Sequence, residues 1–234
     1  VVPFDHVAEA AAEAGPRLRL VACSHVSWMT GRAAPAELAT LDVPVVLDGA
    51  QGAGAVPVDV RALGCQIYAG AGQKWLCGPD GTGMLYVAPE IRDRVATTAR
   101  SYLSFADALP GLDAELHPDA RRYDTPALSA EACAFALAAL DAIGNQGWPA
   151  VQERARSLAL RLAEALTAKG RAVAPRGETT LVSFHSDDPV GERALLAERG
   201  VVVRDIPGRP WLRASVGAWN DDGDLERLVE GLAR

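Results

Sequence analysis

The sequence predicts an α/β protein: a three-layer α/β/α arrangement with a mostly parallel sheet, followed by a smaller C-terminal α/β domain. Two observations predict it. Short apolar, β-rich runs alternate with helix-like connections in the first half, the pattern of a largely parallel sheet covered on both faces. In the second half, two long helical segments with proline and glycine at their ends precede further strands.

Taken in order, "LRLVACSH" (18–25) predicts a strand, "APAELAT" (34–40) a short helix, and "VPVVLDGAQ" (43–51) a buried strand ending in an acid. "DVRALG" (59–64) predicts a helical turn closed by glycine, and "CQIYAG" and "GTGMLYVA" two more strands. Residues 104–126 are irregular. Residues 129–144 predict a helix stopped by Gly144, and residues 149–170 a helix with Pro149 in its first turn and Gly170 past its end. On the latter, Val151, Ala155, Leu158, Leu162 and Leu166 share one face. Then come strand "TLVSFHS", helix "GERALLAERG", strands "VVVRDI" and "WLRASVGA", and a last helix from about Asp222 behind a cap at Asn220. The change of character divides the chain into 1–115 and 116–234.

The 234 residues suffice for a sizeable core, and 49% apolar with 23% charged composition is that of a globular protein. A net charge of −7 argues against a nucleic-acid partner. No apolar run reaches the roughly 18 residues of a membrane span, so no membrane partner is expected. The cysteines (23, 65, 77 and 133) have no metal-ligand spacing and read as reduced, mostly buried thiols of a cytoplasmic protein. The N-terminus lacks an initiator methionine and a leader pattern, and reads as a chain entered partway.

Chemistry concentrates in "GAGQKWLCGPDGTGMLYV" (70–87). A P-loop is excluded, because GxxxxGK[ST] does not fit around Lys74. Asp48 ends one buried strand and Lys74 follows the next, which brings opposite charges to the carboxyl rim of a sheet, where α/β folds bind ligands. On residues alone a surface ion pair is the plainer reading.

"VVLDGAQGAGAVPVDVRALG" followed by "YAGAGQKWLCGPDGTGMLYV" resembles the class V aminotransferase group of fold type I pyridoxal-phosphate enzymes. The resemblance implies a partial large domain of that fold in residues 1–115, the small domain in 116–234, pyridoxal 5'-phosphate as cofactor, and a homodimer acting on a small amino-acid substrate. By the same resemblance Lys74 is the Schiff-base lysine, Asp48 the partner of the pyridine nitrogen, and Gln51 a donor to the phenolic oxygen. Glycines 70, 72, 78, 81 and 83 would let the backbone approach the cofactor. "WLRASVGAWNDDGDLERL" resembles the group's carboxylate-binding segment, with Arg213 as the fork that holds the substrate α-carboxylate and Trp219–Asn220 in the place of a Tyr–Asn pair. "ARRYDTP" resembles a segment whose threonine, here Thr125, reaches the partner subunit's cofactor phosphate. Ser24 and His25 read as hydrogen-bonded interior groups.

Departures from the group's pattern are informative. Gln73 replaces a histidine beside the lysine and is a phosphate-side donor, Ala71 replaces a phosphate-binding serine, and Trp28 replaces an asparagine and reshapes the substrate pocket. The stretch "VVVRDIPGRPWLRAS" holds no cysteine, so nothing there can accept a persulfide, which counts against desulfuration. Within the group the motifs most resemble the lyases that cleave hercynylcysteine sulfoxide in ergothioneine biosynthesis, which implies α,β-elimination from a cysteine sulfoxide conjugate. The alternatives are a class V aminotransferase, a cysteine desulfurase-like enzyme, and an inert piece lacking the N-terminal segment with which the group completes its cofactor site.

Overall fold

The structure is a computed structural model that describes residues 2–107, 109, 111–127 and 129–232. Two compact units are present: Val1–Cys23 with Pro35–Ala50 and Asp59–Asp141, and Ser24–Ala34 with Gln51–Val58 and Ala142–Arg234. The fold is α/β, as the alternation of strands and helices predicts.

In the first unit, helix α1 (Val7–Ala14) buries Val7 and Ala11, one turn apart. Four strands, β1 (Val21–Ser24), β2 (Val45–Asp48), β3 (Ile67–Ala71) and β4 (Gly83–Val87), pair in that order. Strands β2 and β3 are parallel, with Leu47 opposite Tyr68 and Asp48 opposite Ala69. Strand β4 instead runs antiparallel to β3, with Ala71 opposite Gly83. Residues 72–82 form a closed loop without a helix, too short for the crossover that a parallel partner requires. The strand-like period of 83–87 is the same in either direction, so only the connection decides it.

The expected helix at 34–40 is a 3-10 helix, Ala36–Thr40, that buries Leu38. Residues 59–64 form a turn in which the Asp59 carboxylate accepts from the amides of Arg61 (2.9 Å) and Ala62 (3.2 Å). The irregular stretch contains a 3-10 turn, Ala120–Tyr123, capped by Asp119. The Tyr123 hydroxyl ties it to the carbonyls of Arg92 (3.1 Å) and Val95 (3.0 Å).

Helix α2 (Ala130–Gln146) passes through Gly144 and ends at Gly147, whose φ of 85° closes it. An interior glycine costs a helix only about 1 kcal/mol, so Gly144 is no stop. None of the described α2 residues is buried, and Phe135 and Leu137 are exposed.

In the second unit, helix α3 (Trp148–Ala168) has Pro149 in its first turn. It buries Ala155, Leu158, Leu162 and Leu166 on the expected stripe, while Val151 is half-buried. Against it lies an antiparallel sheet of β5 (Leu181–His185), β6 (Arg204–Asp205) and β7 (Trp211–Ser215), ordered β5-β7-β6. Helices α4 (Pro189–Glu198) and α5 (Asp222–Gly231) complete the core through Leu196 and Leu228. The cap of α5 is Asp221, whose carboxylate accepts from the Asp224 amide at 2.9 Å, and not Asn220. Asn220 is occupied: its Oδ1 accepts from Gly217 and its Nδ2 donates to Asp224, each at 2.9 Å.

The cysteines are reduced, but only Cys65 is buried and Cys23 half-buried; Cys77 and Cys133 are exposed. Among the described residues no cluster of metal-ligating side chains occurs and no helix is long and apolar enough to cross a membrane.

Candidate active site

Lys74 stands in the turn that follows β3, exposed, between exposed Gln73 and buried Trp75 and Leu76. The two buried side chains fix the turn from one side. Its ends are joined by the Gly72 amide, which donates to the Thr82 carbonyl at 2.8 Å, and by the Gly78 amide, which donates to the Gly72 carbonyl at 2.9 Å. The lysine carbonyl accepts from the amide of Cys77 at 3.0 Å, and Cys77 has φ 55°, unusual for a residue with a Cβ. The lysine is therefore held on a rigid turn, with its amine left free of ion pairs among the described residues.

Two glycines of this segment are required within the chain itself. A Cβ on Gly72 would come 2.2 Å from Thr82 Oγ1, and one on Gly83 would come 2.7 Å from the Gly70 carbonyl oxygen. They let the two arms of the loop meet, so the loop is closed.

Asp48 ends β2, the parallel neighbour of β3, so acid and amine leave the same sheet at the same edge. Its Oδ1 accepts from the Ala50 amide at 2.9 Å, an Asx turn that fixes the carboxylate, and Oδ2 accepts nothing among the described residues. No ion pair joins Asp48 to Lys74. Below the acid the Tyr68 ring packs so closely on Gly49 that a Cβ there would lie 2.2 Å away. Burial, then the charges of Cys65 and Asp48, push the Tyr68 phenol up, so it stays neutral.

Thr125 is exposed, in a segment whose flanking carbonyls accept from Ser101 (Asp124, 3.1 Å) and Tyr102 (Pro126, 2.8 Å). Gln51 is half-buried and belongs to the second unit, as do Trp28 and Arg213. The structure thus brings Asp48, Gln73 and Lys74 to one sheet edge, and brings Trp28 and Arg213 together in the other unit.

There the loop 24–34 is stitched to the sheet. Thr179 donates to the Gly31 carbonyl (2.6 Å), Ser183 to that of Met29 (2.5 Å), and Arg213 Nη1 to that of Trp28 (2.7 Å). Gly31 has φ 78°, and a Cβ would meet the Leu181 carbonyl oxygen at 2.7 Å. The guanidinium of Arg213 lies 5.9 Å from the centroid of the Trp28 ring, a cation–π contact. Its Nε is buried without a hydrogen-bond partner. Burial, and then the charge of Arg204, push its pKa down. His25 is buried, as expected, and burial pushes its imidazole down toward the neutral form.

No motif in the sequence singles out Arg204. It stands directly opposite Arg213 on β6 and also lies 5.9 Å from the Trp28 ring centroid. The hairpin register that unites residues nine apart is the signal, and it becomes visible only once the turn between them is placed.

These donors suit pyridoxal phosphate: an exposed, unpaired amine on a fixed turn, an oriented carboxylate with one free oxygen at the same edge, and an amide side chain beside the amine.

A family model described as aminotransferase class-V matches residues 5–228. Isopenicillin N epimerase of Amycolatopsis lactamdurans is 32% identical over 260 residues, covering 97% of this chain and 63% of the epimerase. A probable hercynylcysteine sulfoxide lyase of Mycobacterium tuberculosis (strain CDC 1551 / Oshkosh) is 30% identical over 230 residues, covering 91% of this chain and 55% of that protein. Among solved structures, a C-DES mutant with glycine covalently linked to the PLP cofactor superposes with TM-score 0.86 at 29% identity, over 96% of this chain and 62% of that one. The complex of the cystine C–S lyase C-DES with its reaction product cysteine persulfide gives 0.85 at 28% identity, over 96% and 63%. The chain thus spans less than two thirds of the length of the relatives it matches.

Proposed function

This chain belongs to the aminotransferase class V family, and on that footing we propose that it forms part of a pyridoxal-phosphate-dependent lyase that cleaves a carbon–sulfur bond of a cysteine-derived sulfoxide conjugate. The observation that carries the reading is the pair of unpaired groups, the Lys74 amine and Asp48 Oδ2, set at one edge of one sheet by the parallel register of β2 and β3.

In this reading Lys74 would hold the cofactor through Nζ, with Asp48 at its pyridine nitrogen, Gln51 at its phenolic oxygen, and Gln73 and Thr125 at its phosphate. Bound there, pyridoxal phosphate supplies an electron sink for negative charge at a substrate Cα. Arg213 holds the substrate α-carboxylate and Trp28 packs beside the rest of the substrate. Once the substrate amine has taken its place, the released Lys74 amine would take the Cα proton as general base, and the electron pair of that bond would expel the sulfur group from Cβ as a sulfenate. Hydrolysis of the remaining three-carbon fragment gives pyruvate and ammonia. The absence of cysteine from 201–215 supports elimination over desulfuration, which needs a thiolate to take up sulfur.

The reading includes a homodimer in the cytoplasm and a role in ergothioneine biosynthesis. Residues 1–115 then supply the C-terminal portion of the large cofactor-binding domain and 116–234 the small domain.

The test is spectroscopic and then chemical. Protein supplied with pyridoxal phosphate should gain a visible absorbance band that borohydride abolishes, and should release pyruvate from a cysteine sulfoxide conjugate. Sulfide and alanine from cysteine would point to a desulfurase, and exchange between an amino donor and a keto acid to an aminotransferase. A colourless protein unchanged by added cofactor would mean an inert piece.

A further inference from the structure

Arg204 and Arg213 form a directly opposed cross-strand pair of like charges in the antiparallel ladder of β6 and β7. Such partners project from one face with Cβ atoms about 5 Å apart, and like charges placed there repel. Both guanidinium carbons lie 5.9 Å from the ring centroid of Trp28, which the Arg213–Trp28 and Ser183–Met29 hydrogen bonds hold in place. Trp28 and Arg204 are exposed.

Among the described residues neither arginine has a carboxylate partner. Several other arginines of this unit do, Arg156 with Glu153, Arg161 with Asp222 and Arg171 with Glu192, while Arg154, Arg176 and Arg199 donate to backbone carbonyls instead. Asp205, the acid beside Arg204, alternates to the other side of the strand and pairs with Arg193 at 3.1 Å. Two positive charges therefore share one aromatic wall without compensation, and a buried Nε of one lacks an acceptor.

We propose that Arg204 and Arg213, walled by Trp28, form a site for a dianion, so that the substrate is an amino acid bearing a second anionic group on its side chain. One α-carboxylate neutralises one of the two charges, and a second anionic group neutralises the other. The substrate assignment rests on the reading of Arg213 as the carboxylate holder; Arg204 then sets the specificity. Trp28 stiffens both arginines through cation–π contact and packs against the chain that links the two anionic groups.

The experiment titrates the chain, without cofactor, with glutarate and with butyrate, followed by calorimetry and by tryptophan fluorescence. Glutarate should bind at least about tenfold more tightly than butyrate, the worth of one charge-assisted contact. Arg204→Gln should remove that preference and leave butyrate unchanged, Arg204→Lys should keep part of it, and Arg213→Gln should weaken both ligands. Equal affinity of the wild-type chain for the two ligands, no glutarate binding, or equal loss of both ligands in Arg204→Gln would overturn the proposal. Because no cofactor is present, a chain that keeps the glutarate preference yet takes up no pyridoxal phosphate would contradict the proposed activity and leave the dianion site standing.

Discussion

The Gly72 amide donates to the Thr82 carbonyl at 2.8 Å, and the bare Cα of Gly72 leaves room for the Thr82 hydroxyl. That hydroxyl donates to the Pro79 carbonyl at 2.7 Å, so it cannot simply turn away. Gly72→Ala should destabilise the protein by about 1–3 kcal/mol, as overpacking does. Thr82→Ala in the same chain should restore part of the loss, a non-additivity read from urea unfolding. An alanine variant as stable as the wild type would show that the turn carrying Lys74 is not held by this contact.

The Arg171–Glu192 pair predicts a second stability effect. Nη2 and Oε1 stand 2.5 Å apart and Nη1 and Oε2 3.3 Å apart, with the Glu192 side chain only 9% exposed. Glu192→Ala leaves a guanidinium half-buried without its acid and should cost about 3 kcal/mol, while Glu192→Gln keeps the shape and should cost less. Equal losses in the two variants would mean that packing, and not charge, dominates there.

Helix α5 offers a smaller test. Asp221→Ala should cost about 1 kcal/mol through the lost cap, while Asn220→Ala should act instead through the Gly217 turn. Circular dichroism of the variants under urea separates the two: greater helix fraying in Asn220→Ala would contradict the assignment of the cap.

His25 sets a pH dependence. Burial lowers its folded pKa below the ordinary 6.5, so between the folded value and 6.5 the unfolded chain binds the extra proton. Stability from this residue is complete above about pH 6.5 and is lost as pH falls through the folded pKa. His25→Asn should show a flatter decline in urea midpoint between about pH 7 and pH 5 than the wild type. Parallel pH profiles would remove His25 from the account.

Much of the scaffold was legible because burial repeats. The stripe Ala155, Leu158, Leu162, Leu166 marks α3 and its buried face, and the β-rich runs ending at Asp48 and before Lys74 place both groups at strand ends. What escaped depends on contacts that one-dimensional patterns do not carry. The direction of β4 follows from the closed loop 72–82, and its residues read the same either way. Asn220 and Asp221 are both good caps, and the choice between them is made by the Gly217 amide, which occupies Asn220. Arg204 looks like any solvated strand residue until the β6–β7 register sets it against Arg213.

The chain contains two lysines, Lys74 and Lys169, which makes the central claim directly measurable. Incubation with pyridoxal phosphate, reduction with borohydride and peptide mass spectrometry should find the pyridoxyl group on the Lys74 peptide, with Lys169 unmodified at equal cofactor and protein. Lys74→Ala should abolish the adduct. Modification of both lysines alike, of Lys169 alone, or of neither would contradict the assignment of Lys74 as the cofactor-holding residue.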